Sequence, residues 1–142
     1  MKESDFQSKF GAWLKSERGS KTLALFGSSG VAMELKLSPE GRALPFKALA
    51  EHQEEALVRA SEGTLYHKIS DMGLGIKPFD CFVIRRGVGL VVAGWYSRGS
   101  LRAYLISIEA WKAERERCLD GGGKSLKEAR ASEIGEKVIL LG

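Results

Sequence analysis

The chain has 142 residues, an apolar fraction of 44% and a charged fraction of 28%. This length is enough for one domain with a sizeable core and too short for two, so residues 1–142 are expected to form a single domain. No apolar run approaches the length of a membrane span and the first residues lack the apolar core of a signal peptide, so no membrane association and a cytoplasmic location are expected.

The charge and the cysteines restrict the possible partners only weakly. A formal net charge of +4 is compatible with a polyanionic partner but does not establish one. The two cysteines, Cys81 and Cys118, do not have C-x-x-C spacing. Neither a disulfide framework nor a zinc site is therefore indicated.

Apolar periodicity predicts the elements of the first half. Residues 4–17 are expected to form a helix, because Ser4-Asp5-Phe6-Gln7 has the form of a capping box and aromatic residues follow at helical spacing. Two strands at 22–26 and 31–37, joined by a turn at 27–30, are expected to pair as a hairpin. A second helix is expected at 46–60, with an inward stripe of Phe46, Leu49, Leu57 and Ala60.

The second half is predicted to continue the same sheet. A strand at 65–71 and a loop at 72–78 lead into a hairpin of two buried strands, 79–84 and 88–96. A strand at 101–108, a helix at 109–119 and a helix at 126–134 capped by Ser125 follow. Residues 138–141 are expected to form either a terminal strand or an oligomer contact. The fold class is α/β, or α+β, with a mixed central sheet flanked by helices.

Two glycine-rich stretches are not interpreted as phosphate loops. Gly27-Ser28-Ser29-Gly30 is expected to join two strands, so it lacks the helix N-terminus that binds anions. Gly121-Gly122-Gly123-Lys124-Ser125 would need a glycine at position 118, where Cys118 stands. No nucleotide cofactor is therefore expected.

Glu34 and Lys36 are expected on one face of the strand at 31–37, because side chains alternate along a strand. One interpretation is the ordinary polar alternation of a solvated sheet face. The other is a carboxylate that holds a divalent metal beside a lysine that steadies a hydroxide or the charge on a phosphate. The residues alone leave both open.

Two further polar residues have the same two interpretations. Gln53 lies on the apolar stripe of the second helix, four residues from both Leu49 and Leu57, so its amide either bonds to backbone or is directed at a site beside the sheet. Asp80, which lies between Pro78 and a buried strand, is either a turn residue or a metal ligand at a strand end.

The combination of Glu34-Leu35-Lys36 with His52-Gln53-Glu54-Glu55-Ala56-Leu57 resembles the PD-(D/E)xK nuclease superfamily. The resemblance covers about residues 3–108 and implies a restriction-endonuclease-like core, followed by a C-terminal extension at 109–142. More narrowly, the pattern is similar to the Holliday-junction resolvases of bacteria, archaea and phages, especially the RecU-like group.

The resemblance implies a role for each matching residue. Glu34 would be a metal ligand, Lys36 the catalytic lysine and Gln53 a site residue, and the Leu35 carbonyl would be a further ligand of Mg²⁺, for which Mn²⁺ would substitute. The implied reaction is metal-assisted attack of water on a DNA phosphodiester. The implied protein is a homodimer that acts on branched DNA and is encoded by a bacterium, an archaeon or a phage.

One feature of the family pattern is missing. The family usually has an aspartate before the E-x-K strand, whereas residues 19–33 contain no acidic residue. A single carboxylate is a poor site for a hard divalent cation. Asp80 is the preferred replacement and Asp71 the second, followed by Glu17 and Glu3.

Three functional hypotheses follow. In the first, the chain is a nuclease whose DNA contacts include Lys77, Arg85, Arg86, Arg98 and Arg102. In the second, it is a DNA-binding module on a degenerate nuclease fold, in which Glu34 and Lys36 only pair with each other. In the third, it is a regulatory or assembly protein that binds no nucleic acid.

Overall fold

A computed structural model describes residues 1–26, 30–70, 77 and 79–142. The helices in this part of the chain are α1 (Glu3–Leu14), α2 (Glu17–Ala24), α3 (Glu51–Glu62), α4 (Ile108–Asp120) and α5 (Glu128–Ile134). The strands are β1 (Val31–Leu37), β2 (Leu44–Pro45), β3 (Thr64–Lys68), β4 (Cys81–Arg85), β5 (Val88–Ser97), β6 (Ser100–Ser107), β7 (Ser125–Leu126) and β8 (Glu136–Leu141).

A four-stranded mixed sheet forms the centre of the molecule. Its strand order is β1-β5-β6-β8; β1 runs parallel to β5, and the other two pairs are antiparallel. β3 pairs with β4 and β2 with β7 in two small antiparallel sheets. The expected mixed sheet flanked by helices is therefore confirmed, and the fold is of the mixed α+β type.

Each face of the central sheet buries its own apolar cluster. On one face, Leu90 and Val92 of β5 pack with Phe6 and Phe10 of α1. On the other face, the strand residues of the cluster meet side chains from α3, α4 and α5, and the rings of Phe46 and Trp111 pack edge to face at 5.2 Å. Phe46, Leu49, Leu57 and Ala60 are buried as expected. The expected start of their helix at residue 46 is wrong, because residues 46–48 form a 3-10 turn, Leu49 is extended and α3 begins at Glu51.

β1 is an edge strand whose alternation follows the expectation. Val31, Met33, Leu35 and Leu37 pack against the α1 cluster, whereas Ala32 packs against the cluster on the opposite face. Because alternate residues of a strand share a face, Glu34 and Lys36 lie on the Ala32 side, towards α3.

The expected strand at 22–26 is wrong, because residues 17–24 form α2. Ser16 caps this helix by accepting the Gly19 N–H at 3.1 Å, and Lys21 pairs with Glu17 one turn away at 3.0 Å. A short apolar run is compatible with either a strand or a helix, and here the cap and the charge pair favour the helix. The expected turn at 27–30 lies largely outside the described residues.

The expected hairpin of 79–84 with 88–96 is also wrong. β4 pairs with β3, whereas β5 pairs with β1 and β6. Arg86 takes a positive φ of 51° between the two strands, its N–H binds the Gly63 carbonyl, and the Gly87 N–H binds the Ala60 carbonyl. These bonds at the end of α3 divert the chain from the small sheet into the central one.

Two expected helix caps differ in the structure. α1 begins one residue earlier than predicted, and the Lys2 N–H binds the Asp5 carboxylate at 3.3 Å, so Ser4 does not cap it. Ser125 lies in β7, and Lys127 occupies the N-cap position of α5.

Residues 109–142 complete the same core. β8 is the fourth strand of the central sheet, and Trp111, Leu126 and Ala131 are buried in the cluster beneath α3. No helix in the described part of the chain is long and apolar enough to cross a membrane.

Candidate active site

The structure brings Glu34, Lys36 and Gln53 together. The Gln53 amide donates to Glu34 Oε1 at 2.9 Å, and Lys36 Nζ lies 3.5 Å from the same oxygen. The Lys36 side chain is 14% exposed and the Glu34 side chain 32% exposed. A carboxylate, a half-buried ammonium and an amide therefore meet on one face of an edge strand.

Gln53 is held in place by the first turn of α3. Its Oε1 accepts the Ala50 N–H at 2.9 Å, which is the half of a capping box that a glutamine three residues after the N-cap supplies. Because the amide oxygen is fixed, the amide nitrogen points at Glu34. One side chain thus caps the helix and joins it to β1.

The orientation of α3 follows from contacts at its two ends. Its first turn meets Glu34, whereas near its last turn the Ala60 carbonyl accepts the Gly87 N–H, beside the point where Val88 pairs with Val31. The helix therefore runs antiparallel to β1. Its N-terminus, the positive end of the dipole, lies at the Glu34 side of the sheet.

Leu35 lies between the two charged residues in β1 and pairs with Val92 of β5. Its side chain belongs to the α1 cluster on the opposite face.

The structure leaves Asp80 at the distal end of the β3–β4 hairpin. The hairpin joins the central sheet at its Thr64 and Arg85 end, and Asp80 precedes Cys81 at the other end, about 14 Å along the strands. The Asp80 carboxylate is 84% exposed and lies 3.0 Å from Lys77 Nζ. It is thus found with Lys77 and not in the Glu34 cluster.

The other proposed acids do not complete the group among the described residues. Glu17 is 84% exposed and pairs with Lys21, and Glu3 is exposed at the start of α1. Asp71 lies outside the described residues. Within the described ranges, no three His, Cys, Asp or Glu side chains are placed to hold a metal. A hard divalent cation needs several oxygen ligands, so Glu34 with the Leu35 carbonyl is an incomplete set.

The expected DNA-contacting arginines are dispersed. Arg85 and Arg86 are exposed where β4 leads into β5. Arg98 is exposed in the turn after β5, so the length of that strand, about 30 Å, separates it from Arg86.

Arg102 is occupied by contacts within the fold. Its guanidinium makes a two-pronged contact with the Glu128 carboxylate, at 2.6 and 3.0 Å, and also donates to the Ser100 carbonyl. Tyr104 donates to the same carboxylate, and burial together with this bond raises the pKa of Tyr104 to about 12. Arg102 therefore fastens α5 to β6, which does not favour a role in DNA contact.

The sequence did not indicate an ion pair beside Gln53. Glu54, the next residue on α3, pairs with Arg115 of α4 at 2.5 Å. The pair lines a cavity of about 680 Å³ with Phe46 and Leu49 at the start of α3. Only the pairing of α3 with α4 reveals this contact, because the two residues are 61 positions apart.

Comparisons of the chain with protein-family models, with curated proteins and with solved structures find no match.

Proposed function

We propose that the chain is a metal-dependent DNA endonuclease with a restriction-endonuclease-like core, selective for branched DNA of the Holliday-junction type. The convergence of Glu34, Lys36 and Gln53 on one face of β1 supports this proposal most directly. These residue types at these positions match the E-x-K strand and the following glutamine helix of that nuclease class.

Each side chain has a role in the proposed reaction. Glu34 is the carboxylate ligand, Gln53 orients it, and Lys36 presents its ammonium to the phosphate whose charge grows during hydrolysis. A bound Mg²⁺ or Mn²⁺ would supply an activated water and neutralise phosphate charge. The positive end of α3 adds to the favourable field for a phosphate on this side of the sheet.

The second acidic ligand belongs to the proposal as well. Asp80 or Asp71 would supply it, and for Asp80 the end of the β3–β4 hairpin would have to approach Glu34 when DNA and metal bind. Lys77, Arg85, Arg86 and Arg98 would contact phosphates. A homodimer would place two sites on opposed strands of a junction.

A second candidate is a DNA-binding module without nuclease activity. It is favoured by the fact that Lys36 and Gln53 already neutralise and bind Glu34 Oε1. In this case the three residues only pin α3 to β1.

Cleavage of a synthetic four-way junction in Mg²⁺ or Mn²⁺ tests the proposal. Glu34→Gln and Lys36→Met are each expected to lower the cleavage rate by about a hundredfold or more, because the first removes the charge that would hold the metal and the second removes the charge that would face the reacting phosphate. Glu55→Gln and Lys47→Met, which change exposed residues outside the cluster, are the matched controls and should cleave at the wild-type rate.

Two further measurements separate the candidates. Asp80→Asn and Asp71→Asn identify the second acid, since only replacement of the residue that binds the metal should abolish cleavage. Calorimetric titration with Mn²⁺ should show binding that disappears in Glu34→Gln. Junction binding without cleavage, and without Mn²⁺ binding that depends on Glu34, would instead establish the binding module.

A further inference from the structure

β8 forms the edge of the central sheet that lies opposite β1. Its inner edge pairs with β6, and in the described part of the chain no strand pairs with its outer edge. Every second residue of an edge strand presents its N–H and C=O outward, which is a template for another strand. From Val138 to Leu141 the strand carries no charged residue that would oppose such pairing.

Two adjoining cavities follow this outer edge. One, of about 330 Å³, is lined by 137–139 of β8 and by Arg18 and Thr22 of α2. The other, of about 380 Å³, is lined by 139–141 of β8 and by Lys9 and Ser16. Consecutive residues of a regular strand point to opposite faces, so the cavity that touches 137–139 in a row lies along the backbone edge. At Leu140 the register of β8 with β6 shifts, so the ladder that a further strand could join is regular only up to Ile139.

The two cavities share Trp13 and Ile139, and together they make one groove, here called the β8 groove. Its lining is apolar at Trp13, Ile139 and Leu140, and Ile139 is 58% exposed. Its charged lining residues are Lys9, Arg18 and Lys137, and among the described residues no acidic side chain lines either cavity. The groove thus combines a strand edge, apolar contact surface and positive charge.

We propose that the β8 groove binds an extended acidic peptide segment of another protein, which adds to β8 as a fifth strand of the central sheet. The backbone edge would supply the hydrogen bonds, and alternating side chains of the peptide would supply specificity. Acidic residues on the peptide would complement the three cations.

Two other occupants fit the groove less well. A DNA backbone would neutralise the cations, but it would not pair with the unpaired N–H and C=O groups of a strand edge and would not bury the exposed Ile139 side chain. A second copy of the chain, paired through β8, would bring the Lys9, Arg18 and Lys137 groups of both copies together without acids from the groove to offset them.

A fluorescein-labelled peptide of alternating glutamate and valine, mixed with the full-length protein, is the probe. Fluorescence anisotropy should show binding at low ionic strength, and exchange of β8 backbone amides should slow when the peptide is present. The double variant Arg18→Glu/Lys137→Glu should weaken binding about tenfold or more, since two favourable charge contacts become unfavourable. Lys47→Glu, at an exposed residue outside the groove, should leave binding within about twofold of wild type.

A second peptide tests the backbone directly. The same sequence, N-methylated at alternate residues so that those groups cannot donate to β8, should fail to bind. Equal binding of the methylated peptide, or no effect of the double variant, would overturn the proposal.

The two alternative occupants would overturn it in different ways. Stronger binding of duplex DNA, weakened by the same double variant, would assign the groove to nucleic acid. A dimer in sedimentation whose β8 amides are protected without peptide would assign it to a second copy of the chain.

Discussion

Gln53 shows how one side chain can satisfy a helix end and a strand at once. Its oxygen accepts the Ala50 N–H and its nitrogen donates to Glu34, so both ends of the amide are used. An amide on an apolar stripe would otherwise cost stability. The sequence raised two alternatives for Gln53, a bond to backbone or an amide directed at a site beside the sheet. In the structure its amide bonds both to backbone and to Glu34.

Replacement of Gln53 by alanine is expected to lower the free energy of unfolding by about 1 to 2 kcal/mol, because two hydrogen bonds are lost at a half-buried position. Urea unfolding followed by circular dichroism measures this change. Glu55→Ala, two residues further along the same helix and exposed, is the control and should change stability little. Equal stability of the Gln53 variant and the control would contradict the role.

Glu114 is a buried carboxylate that joins α4 to α5. Its side chain is 2% exposed and binds both the Arg117 and Arg130 guanidinium groups. Hydrogen bonds from Arg117 first, and from Arg130 next, lower the pKa of Glu114 from 4.5 to about 2.

This lowered pKa predicts a loss of stability in acid. The folded-state pKa lies below the unfolded-state value, so the contribution of Glu114 is complete above pH 4.5 and is lost as the pH falls from 4.5 towards 2. Glu114→Gln should cost about 2 kcal/mol near neutral pH, because a buried side chain loses its charge-assisted hydrogen bonds to two partly exposed guanidinium groups. The stability of this variant should also depend less on pH between 4.5 and 2.

Urea midpoints measured between these pH values test the Glu114 prediction. Glu116→Gln, at an exposed neighbour on α4, should keep the wild-type pH dependence. If the Glu114 variant lost as much stability as wild type between pH 4.5 and pH 2, other carboxylates would be the cause of the acid destabilisation.

Among the elements, α2 depends on a close approach that only glycine permits. A Cβ at Gly19 would lie 2.0 Å from the Trp13 carbonyl oxygen, so the backbones of α2 and of the last turn of α1 touch directly. The helix thus packs against the end of α1 through a glycine instead of an apolar side chain.

Gly19→Ala is therefore expected to destabilise the protein, although alanine usually favours a helix by about 1 kcal/mol. The clash with backbone atoms outweighs this gain. Gly11→Ala is the matched control in α1: an added Cβ meets nothing within 4 Å there, so this variant should be more stable than wild type by about 0.5 to 1 kcal/mol. Thermal unfolding of both variants measures the signs, and two stabilising changes would contradict the close approach.

At the scale of the molecule, the C-terminal residues are inseparable from the core. β8 is the edge strand beside β6 in the central sheet, and α4 buries Trp111 against Phe46. Residues 3–108, over which the chain resembles a nuclease core, therefore need residues 109–142 to cover their apolar faces.

Truncation after residue 108 is expected to abolish cooperative folding, because it removes β8 from the central sheet, removes β7, and exposes the sheet face that α4 and α5 cover. Near-ultraviolet circular dichroism and a proton spectrum of the truncated chain measure this loss. Removal of Gly142 alone is the control and should leave both spectra unchanged. A cooperative unfolding transition in the truncated chain would contradict the single core.

Part of this structure follows from local pattern. The alternation in 31–37 correctly predicts that Glu34 and Lys36 share a face, and the spacing of Leu57 and Ala60 correctly predicts the inward side of α3. Periodicity determines these features because the side-chain direction of a residue depends mainly on its own backbone geometry.

The tertiary structure decided the remaining features. β1 pairs with β5, which is 57 residues later. The place of Asp80 beside Lys77, at the far end of a hairpin, follows from the pairing of β3 with β4. Strand partners depend on which apolar faces can be buried together across the chain, so short-range pattern determines the faces while long-range packing determines the neighbours.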